Sequence, residues 1–308
     1  MSWFLSKRTV PQPLAQPVVA GEVLVHDRYR VGALLGTGGG SRVHEAVDLR
    51  TGGTVALKLI HLPGDLGAAQ RAEWLVRLQR EADLSRRLAH PDIVAVLGAG
   101  LQGQQAWLAM ERVRGVDLAR YTQPQRRLPE NLVLHIGARV AAALAHAHGL
   151  GVVHRDLKPA NVIVNLAAGQ VKLADFGVAR DDEAERTRTG LSLGTPAYMA
   201  PELLAGEPAS PASDAYALGV TLFELLTGRR PHEADTLGAL LKATAHERPV
   251  ELRALRPDLP APAVAAIEQL LARQPQQRPA HLEAWAGQVA ALAALMGRLI
   301  GPGAAAHH

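Results

Sequence analysis

The sequence predicts an α+β fold, with strands concentrated before about position 113 and helices after Pro129. Three patterns predict it. Tyr29, Val31 and Ala33 alternate with polar or small residues, run into the glycine-rich turn Gly36 to Gly40, and are answered by a returning strand through Val47. Leu132, Ile136, Val140 and Leu144 recur at i,i+4, the stripe of an amphipathic helix. Val162-Ile163-Val164 and Val171-Lys172-Leu173 flank the turn-prone Ala167-Ala168-Gly169-Gln170, which reads as a hairpin.

Composition narrows the classes. The 308 residues are 48% hydrophobic and 20% charged, ordinary for a soluble globular protein and enough for one large core or two modest ones. Aromatics are only 4%, so the core should be mostly aliphatic. A net charge of +4 rests on arginine, since lysine occurs only at 7, 58, 158, 172 and 242; so dispersed an arginine content reads as solvated surface, not a nucleic-acid face. With no cysteine there is no disulfide, thiolate nucleophile or zinc-thiolate site, which fits a reducing compartment. No stretch reaches the roughly 20 uninterrupted apolar residues of a membrane span. The nearest, 284–300, is broken by Gln288 and Arg298 and reads as a terminal amphipathic helix. At the start, Trp3-Phe4-Leu5 precedes Lys7-Arg8, the wrong order for a secretory leader. The expectation is a cytoplasmic protein without a membrane span.

In chain order, residues 1–25 carry Pro11, Pro13 and Pro17 in a weakly patterned stretch and read as a flexible arm. The loop Leu35-Gly36-Thr37-Gly38-Gly39-Gly40-Ser41-Arg42-Val43 follows, whose glycines let backbone amides approach phosphates closely. Val55-Ala56-Leu57-Lys58 reads as a strand, and the helix after it bears the stripe Trp74, Leu78, Glu81, Ser85, Leu88. Glu81 therefore faces inward, whereas Glu73 shares an outward stripe with Arg77 and Arg80. Ala106 to Met110 is a further strand. His146 and His148, two apart, do not share a helix face and make no metal pair.

The chemistry concentrates in His154-Arg155-Asp156-Leu157-Lys158-Pro159-Ala160-Asn161 and in Asp175-Phe176-Gly177. These supply a carboxylate, an ammonium, an amide and a second carboxylate, the parts needed to move a phosphoryl group by positioning and electrostatics. Asp156 would accept or orient the proton of an incoming hydroxyl, and Lys158 would neutralise charge on the transferred group. The oxygens of Asn161 and Asp175 suit a hard cation such as Mg²⁺.

These motifs resemble those of the eukaryotic-like Ser/Thr protein kinases of bacteria, across roughly residues 28 to 295. The resemblance implies a two-lobed protein kinase-like fold: an antiparallel-sheet N-lobe with one main helix over 26–113, a larger, mainly helical C-lobe over 114–300, and a tail at 301–308. It implies ATP with Mg²⁺, or Mn²⁺ in its place. Lys58 would hold the α and β phosphates and Glu81 would fix Lys58, since an inward carboxylate without a partner is costly. Ala56 would pack on adenine beneath the loop 35–43, Met110 would be the gatekeeper, the backbone of Glu111 and Val113 would bind adenine, and Asp117 would reach the ribose. Two departures stand out. Ser41 occupies the position of the loop's third glycine, with Gly39-Gly40 at the tip, which predicts a mobile lid and weak nucleotide affinity. Asp92, in His90-Pro91-Asp92-Ile93-Val94, replaces an asparagine.

The polar segment after Gly177 resembles the family's activation segment, with Thr187 and Thr189 as autophosphorylation candidates and Ser192 a weaker one. A phosphate there would pair with Arg155. Thr195 would contact Asp156 and Lys158, Asp214 would hold the catalytic-loop backbone, and Glu202 would pair with Arg278. The function implied is transfer of the ATP γ-phosphoryl group to Ser or Thr hydroxyls of proteins. The alternative, motivated by Ser41 and the loop tip, is a pseudokinase or scaffold; a small-molecule kinase is disfavoured by Leu157-Lys158-Pro159. Protein substrates are the implied partners. A phosphothreonine-binding protein and dimerisation are admitted by the resemblance but unspecified by the residues.

Overall fold

The computed structural model describes residues 24–38, 41–62, 67–176 and 196–299. They gather into two compact units, the described parts of Met1–Ala82 with Val96–Arg112, and of Asp83–Ala95 with Val113–His308. The expected boundaries differ in giving 83–95 and Val113 to the first lobe; the backbone bonds of 92–94 described below account for the second unit's claim on that stretch.

Six strands build the first unit: β1 (Leu24–Val25), β2 (Tyr29–Gly38), β3 (Ser41–Asp48), β4 (Thr54–His61), β5 (Val96–Gln102) and β6 (Gln105–Glu111), joined as one antiparallel sheet in the order β1-β2-β3-β4-β6-β5. Leu24 and Val25 pair with Arg30 and Tyr29, and Val25 is buried, so the expected arm over 1–25 is corrected at its last two residues: a tight hairpin draws them into the sheet. Side chains alternate across the sheet. Val55, Leu57 and Leu59 of β4, with Trp107 and Ala109 of β6, pack one face against Val25 and Tyr29 in a small core. The helix α1 (Ala68–Arg87) contributes Leu78 and Trp74 to a second cluster with Leu62 and Ala106. The expected inward stripe of α1 thus divides: Leu78 joins this cluster, while Leu88, past the helix end, packs in the other unit's core.

The second unit holds a three-stranded sheet, β7 (Val116–Asp117), β8 (Val162–Asn165) and β9 (Gln170–Leu173), and the helices α2 (Glu130–Gly149), α3 (Pro201–Leu204), α4 (Pro211–Thr227), α5 (Leu237–His246), α6 (Leu252–Leu255), α7 (Ala261–Leu270) and α8 (Leu282–Leu299). On α2, Ile136, Val140 and Leu144 are buried as the stripe predicts. Burial extends well beyond the stripe, to Val133, Ala138, Ala141, Ala143 and Ala147, because α4 and α8 both pack along the helix. Gly137 makes the approach to α4 possible: a Cβ there would lie 2.8 Å from the Leu222 side chain. The helix α4 is apolar on nearly all sides, as a central helix must be. Ser210 and Ser213 cap its start reciprocally, and Gly228 ends it at φ 72°. The terminal helix expected over about 280 to 300 is α8. Among the described residues no helix is long and apolar enough to cross a membrane.

Candidate active site

In the first unit the strand register brings the sequence-predicted residues together. Val43 is paired with Lys58, Gly36 with Val43, Lys58 with Leu108, and Ala56 with Met110. Directly paired residues project to the same side of a sheet, so Gly36, Val43, Ala56, Lys58 and Met110 occupy one face. It is the face opposite Leu57, Trp107 and Tyr29. Lys58 is half-buried. Leu35, Thr37 and Gly38 complete β2, and the hairpin closes through Gly38 paired with Ser41, whose hydroxyl donates to the Gly38 carbonyl at 2.7 Å. The serine in the third glycine position thus holds the loop's own backbone. Arg42 pairs with Thr37 on the same hairpin. Glu111 ends β6. Gly39 and Gly40 lie outside the described residues, and of Glu81, on α1, the backbone alone is described, so its expected pairing with Lys58 lies outside what is described.

The second unit assembles the remaining set around a buried aspartate. Asp214, in the first turn of α4, accepts from the backbone N–H of His154 at 2.8 Å and of Arg155 at 2.9 Å, and from His148 Nε2 at 2.8 Å. Arg155 sits at φ 68°, a costly backbone conformation for a side chain of that size, and it persists because Asp214 holds the Arg155 amide on one side and His154 Nδ1 holds the Asp156 amide on the other. His154 is fully buried: its Nδ1 accepts from the Asp156 N–H at 3.3 Å, so Nε2 carries the proton donated to the Ala174 carbonyl at 3.0 Å. Burial pushes the imidazole below its usual pKa, which keeps it in this neutral form.

Asp156 emerges from that scaffold with its carboxylate fixed. Lys158 Nζ donates to Oδ2 at 2.8 Å, and Asn161 Nδ2 donates to the same oxygen at 3.3 Å and to the Asp156 carbonyl at 2.7 Å. With its amide nitrogen so engaged, Asn161 turns Oδ1 the other way, leaving an oxygen donor directed away from Asp156. The β8–β9 hairpin returns the chain to this point: Val162 pairs with Leu173, and the Ala174 N–H donates to the Asn161 carbonyl at 2.8 Å. Asp175 follows at φ 57°, solvent-exposed, and Phe176 packs on the His154 ring with centroids 4.6 Å apart. Asn161 and Asp175 offer the hard oxygen donors that Mg²⁺ takes when substrate phosphate and water complete its shell, so the residues fit that cation.

Val113 is buried, and Asp117 is exposed in β7, paired with Ile163 of β8. Gly115 between them is required by close approach: a Cβ there would lie 2.5 Å from the Val164 carbonyl oxygen. Glu202 and Arg278 form the expected buried pair, with the guanidinium donating to both carboxylate oxygens at 2.6 and 2.8 Å. Thr187, Thr189, Ser192 and Thr195 lie outside the described residues. Sequence reasoning missed three contributors: His148 on Asp214, the Asp92–Arg139 pair, and Glu224, which accepts from the Tyr198 hydroxyl at 2.5 Å. Local periodicity carries no signal for any of them, because each joins residues from different elements.

A sheet-bearing unit with a glycine hairpin and a lysine on one face, and a helical unit whose central helix anchors an aspartate-bearing loop, define a protein kinase. The chain belongs to the protein kinase domain family, whose profile matches residues 29–289. It is 39% identical over 279 residues to the serine/threonine-protein kinase pkn3 of Myxococcus xanthus, covering 86% of this chain and 50% of that one. It is also 39% identical over 264 residues to PknA of Mycobacterium tuberculosis, covering 83% and 59%. Among solved structures it resembles the Mycobacterium tuberculosis PknI kinase domain, with TM-score 0.68 and 31% identity over 88% of this chain and 98% of that one. It also resembles Rad53 1-466 in complex with AMP-PNP, with TM-score 0.70 and 26% identity over 85% and 65%. The chain spans 50% and 59% of the length of the two curated relatives.

Proposed function

We propose that this chain transfers the γ-phosphoryl group of ATP to serine or threonine hydroxyls of proteins. One observation carries the reading: the Asp156 carboxylate is held by Lys158 and Asn161 on a loop whose backbone Asp214 fixes. Asp156 orients the incoming hydroxyl and takes its proton as the hydroxyl oxygen bonds to the γ-phosphorus and the bond from that phosphorus to the β-phosphate oxygen breaks, with ADP leaving, and Lys158 balances charge on the transferred oxygens. Asn161 Oδ1 and the Asp175 carboxylate would hold Mg²⁺, which when bound neutralises phosphate charge. Lys58 holds the α and β phosphates, and Ala56, Val43 and Met110 give the base an apolar seat, in keeping with their common face. The names of the relatives, serine/threonine-protein kinases, support the hydroxyl specificity. Autophosphorylation at Thr187 or Thr189, with Arg155 receiving the phosphate, and a cytoplasmic location belong to the same proposal.

The test is intact mass and site mapping after incubation with Mg-ATP, beside Asp156→Asn. Phosphate on Thr187 or Thr189 in the wild type alone supports the reading. No phosphate on the wild type, and none on an added protein substrate, sinks it in favour of the pseudokinase.

A further inference from the structure

The family's asparagine at position 92 is replaced here by a buried aspartate, 6% exposed, and the structure supplies its partner. Arg139, on α2, donates to both Asp92 carboxylate oxygens, through Nε at 3.0 Å and through Nη2. Its Nη1 donates to the Gly169 carbonyl at 2.5 Å. These contacts grip the two ends of one strand. Gly169 immediately precedes β9, and Asp92 lies beside its last residue, where the Leu173 N–H donates to the Asp92 carbonyl at 2.8 Å and the Val94 N–H to the Leu173 carbonyl at 2.9 Å. Ile93 bridges Leu173 in parallel, and buried Lys172 donates to the Ile93 carbonyl at 3.3 Å. Residues 92–94 thus act as a short added edge of β9, and two residues past Leu173 stands Asp175.

We propose that Arg139 is a positioning residue for Asp175, acting through β9: one guanidinium fixes the strand at Gly169 and at Asp92, and so sets the carboxylate that receives the divalent cation. The inference rests on the kinase reading. From the active-site side Asp175 is located by Ala174 bonded to Asn161 and by Phe176 on His154. From the opposite side β9 is located by the Asp92 segment, whose carboxylate is satisfied by Arg139. Loss of the guanidinium leaves a buried carboxylate uncompensated, so the 92–94 edge is released before the hydrophobic hairpin is. A neutral asparagine needs no such partner, so the substitution at 92 and the arginine at 139 work as a unit.

The test compares Arg139→Gln, Arg139→Lys, Asp92→Asn and the double variant Asp92→Asn/Arg139→Gln in the full chain. Two quantities are read: the Mg²⁺ concentration at half-maximal phosphorylation of a fixed peptide, and, by calorimetry, the factor by which Mg²⁺ strengthens ADP binding. Arg139→Gln should raise the first about 10-fold and lower the second about 10-fold, with peptide KM within twofold. The double variant should recover most of both, because no unpaired charge remains. Arg139→Lys, which keeps the charge but cannot span two sites, should fall between and serves if Arg139→Gln does not fold. Unchanged Mg²⁺ dependence in folded variants of an active wild type overturns the inference alone. A wild type without Mg²⁺-dependent nucleotide binding overturns the kinase reading and the inference with it.

Discussion

Arg278→Ala should destabilise the helical unit severely. The side chain is 3% exposed, and its guanidinium serves five acceptors: both Glu202 oxygens and the carbonyls of Ala272, Ala212 and Arg273, all at 2.6 to 3.0 Å. Its face also lies 5.0 Å from the Tyr216 ring centroid. Removing one member of a buried ion pair costs about 3 to 5 kcal/mol, because the other charge is stranded. Water can replace the guanidinium at some of the carbonyls, so ~4 kcal/mol is the expected loss, against a total of about 5 to 15 for a domain. At about 2 to 4 °C per kcal/mol for a unit of this size, Tm should fall by roughly 8 to 16 °C. The assay is thermal unfolding by circular dichroism of Arg278→Ala, Glu202→Met and Arg278→Met/Glu202→Met. The double variant should be no worse than either single one, since it strands no charge. A fall in Tm under about 4 °C for Arg278→Ala, or a double variant as unstable as the sum of the singles, would refute the reasoning.

Asp156→Asn should leave nucleotide affinity nearly intact and cut turnover about 10² to 10⁴-fold, read as kcat beside ADP affinity; equal losses in both would remove Asp156 from the proton step. Lys58→Met should weaken ATP binding and slow turnover together, and an unchanged rate would place Lys58 outside the site. Asp214→Ala should release the His154 and Arg155 amides; activity should fall at least 10²-fold with a stability loss of about 3 kcal/mol, and retention of either in urea titrations with parallel assays would contradict the anchoring role. His154 is held below its ordinary pKa of 6.5 by burial, so the folded chain binds fewer protons than the unfolded one below that pH. Stability should therefore be full above pH 6.5 and decline as pH falls through it, by up to ~1.4 kcal/mol per unit from this residue. His90 and His232 are shifted the same way by burial, and a flat urea midpoint from pH 7.5 to 5.5 would exclude the effect.

What the sequence revealed, it revealed locally. The Val162-Ile163-Val164 and Val171-Lys172-Leu173 hairpin forms as read, and it brings Ala174 onto Asn161 because strand alternation and a turn fully determine so short a path. Asp156, Lys158 and Asn161 lie within six positions of one another, so the spacing alone constrains their geometry. The partners that brace this loop were illegible. Asp214 meets His148 and His154 across some 60 residues, and Arg139 meets Asp92 across 47, and no periodicity encodes such meetings. Leu24 and Val25 read as part of the arm for a related reason: a two-residue strand has no period to detect.

The first sheet has one last consequence. Lys58 and Ala56 lie on one side of β4, while Leu57 and Leu59 on the other build the small core with Trp107 and Tyr29. A slip of one residue in the pairing would turn the ammonium into that aromatic interior and the leucines onto the face that Ala56 and Met110 now line. Chemistry and packing here are one variable, so a chain that misaligns this strand does not become a folded but inert protein. It loses the sheet itself, and cellular quality control can remove it by its instability before it competes for nucleotide or partners.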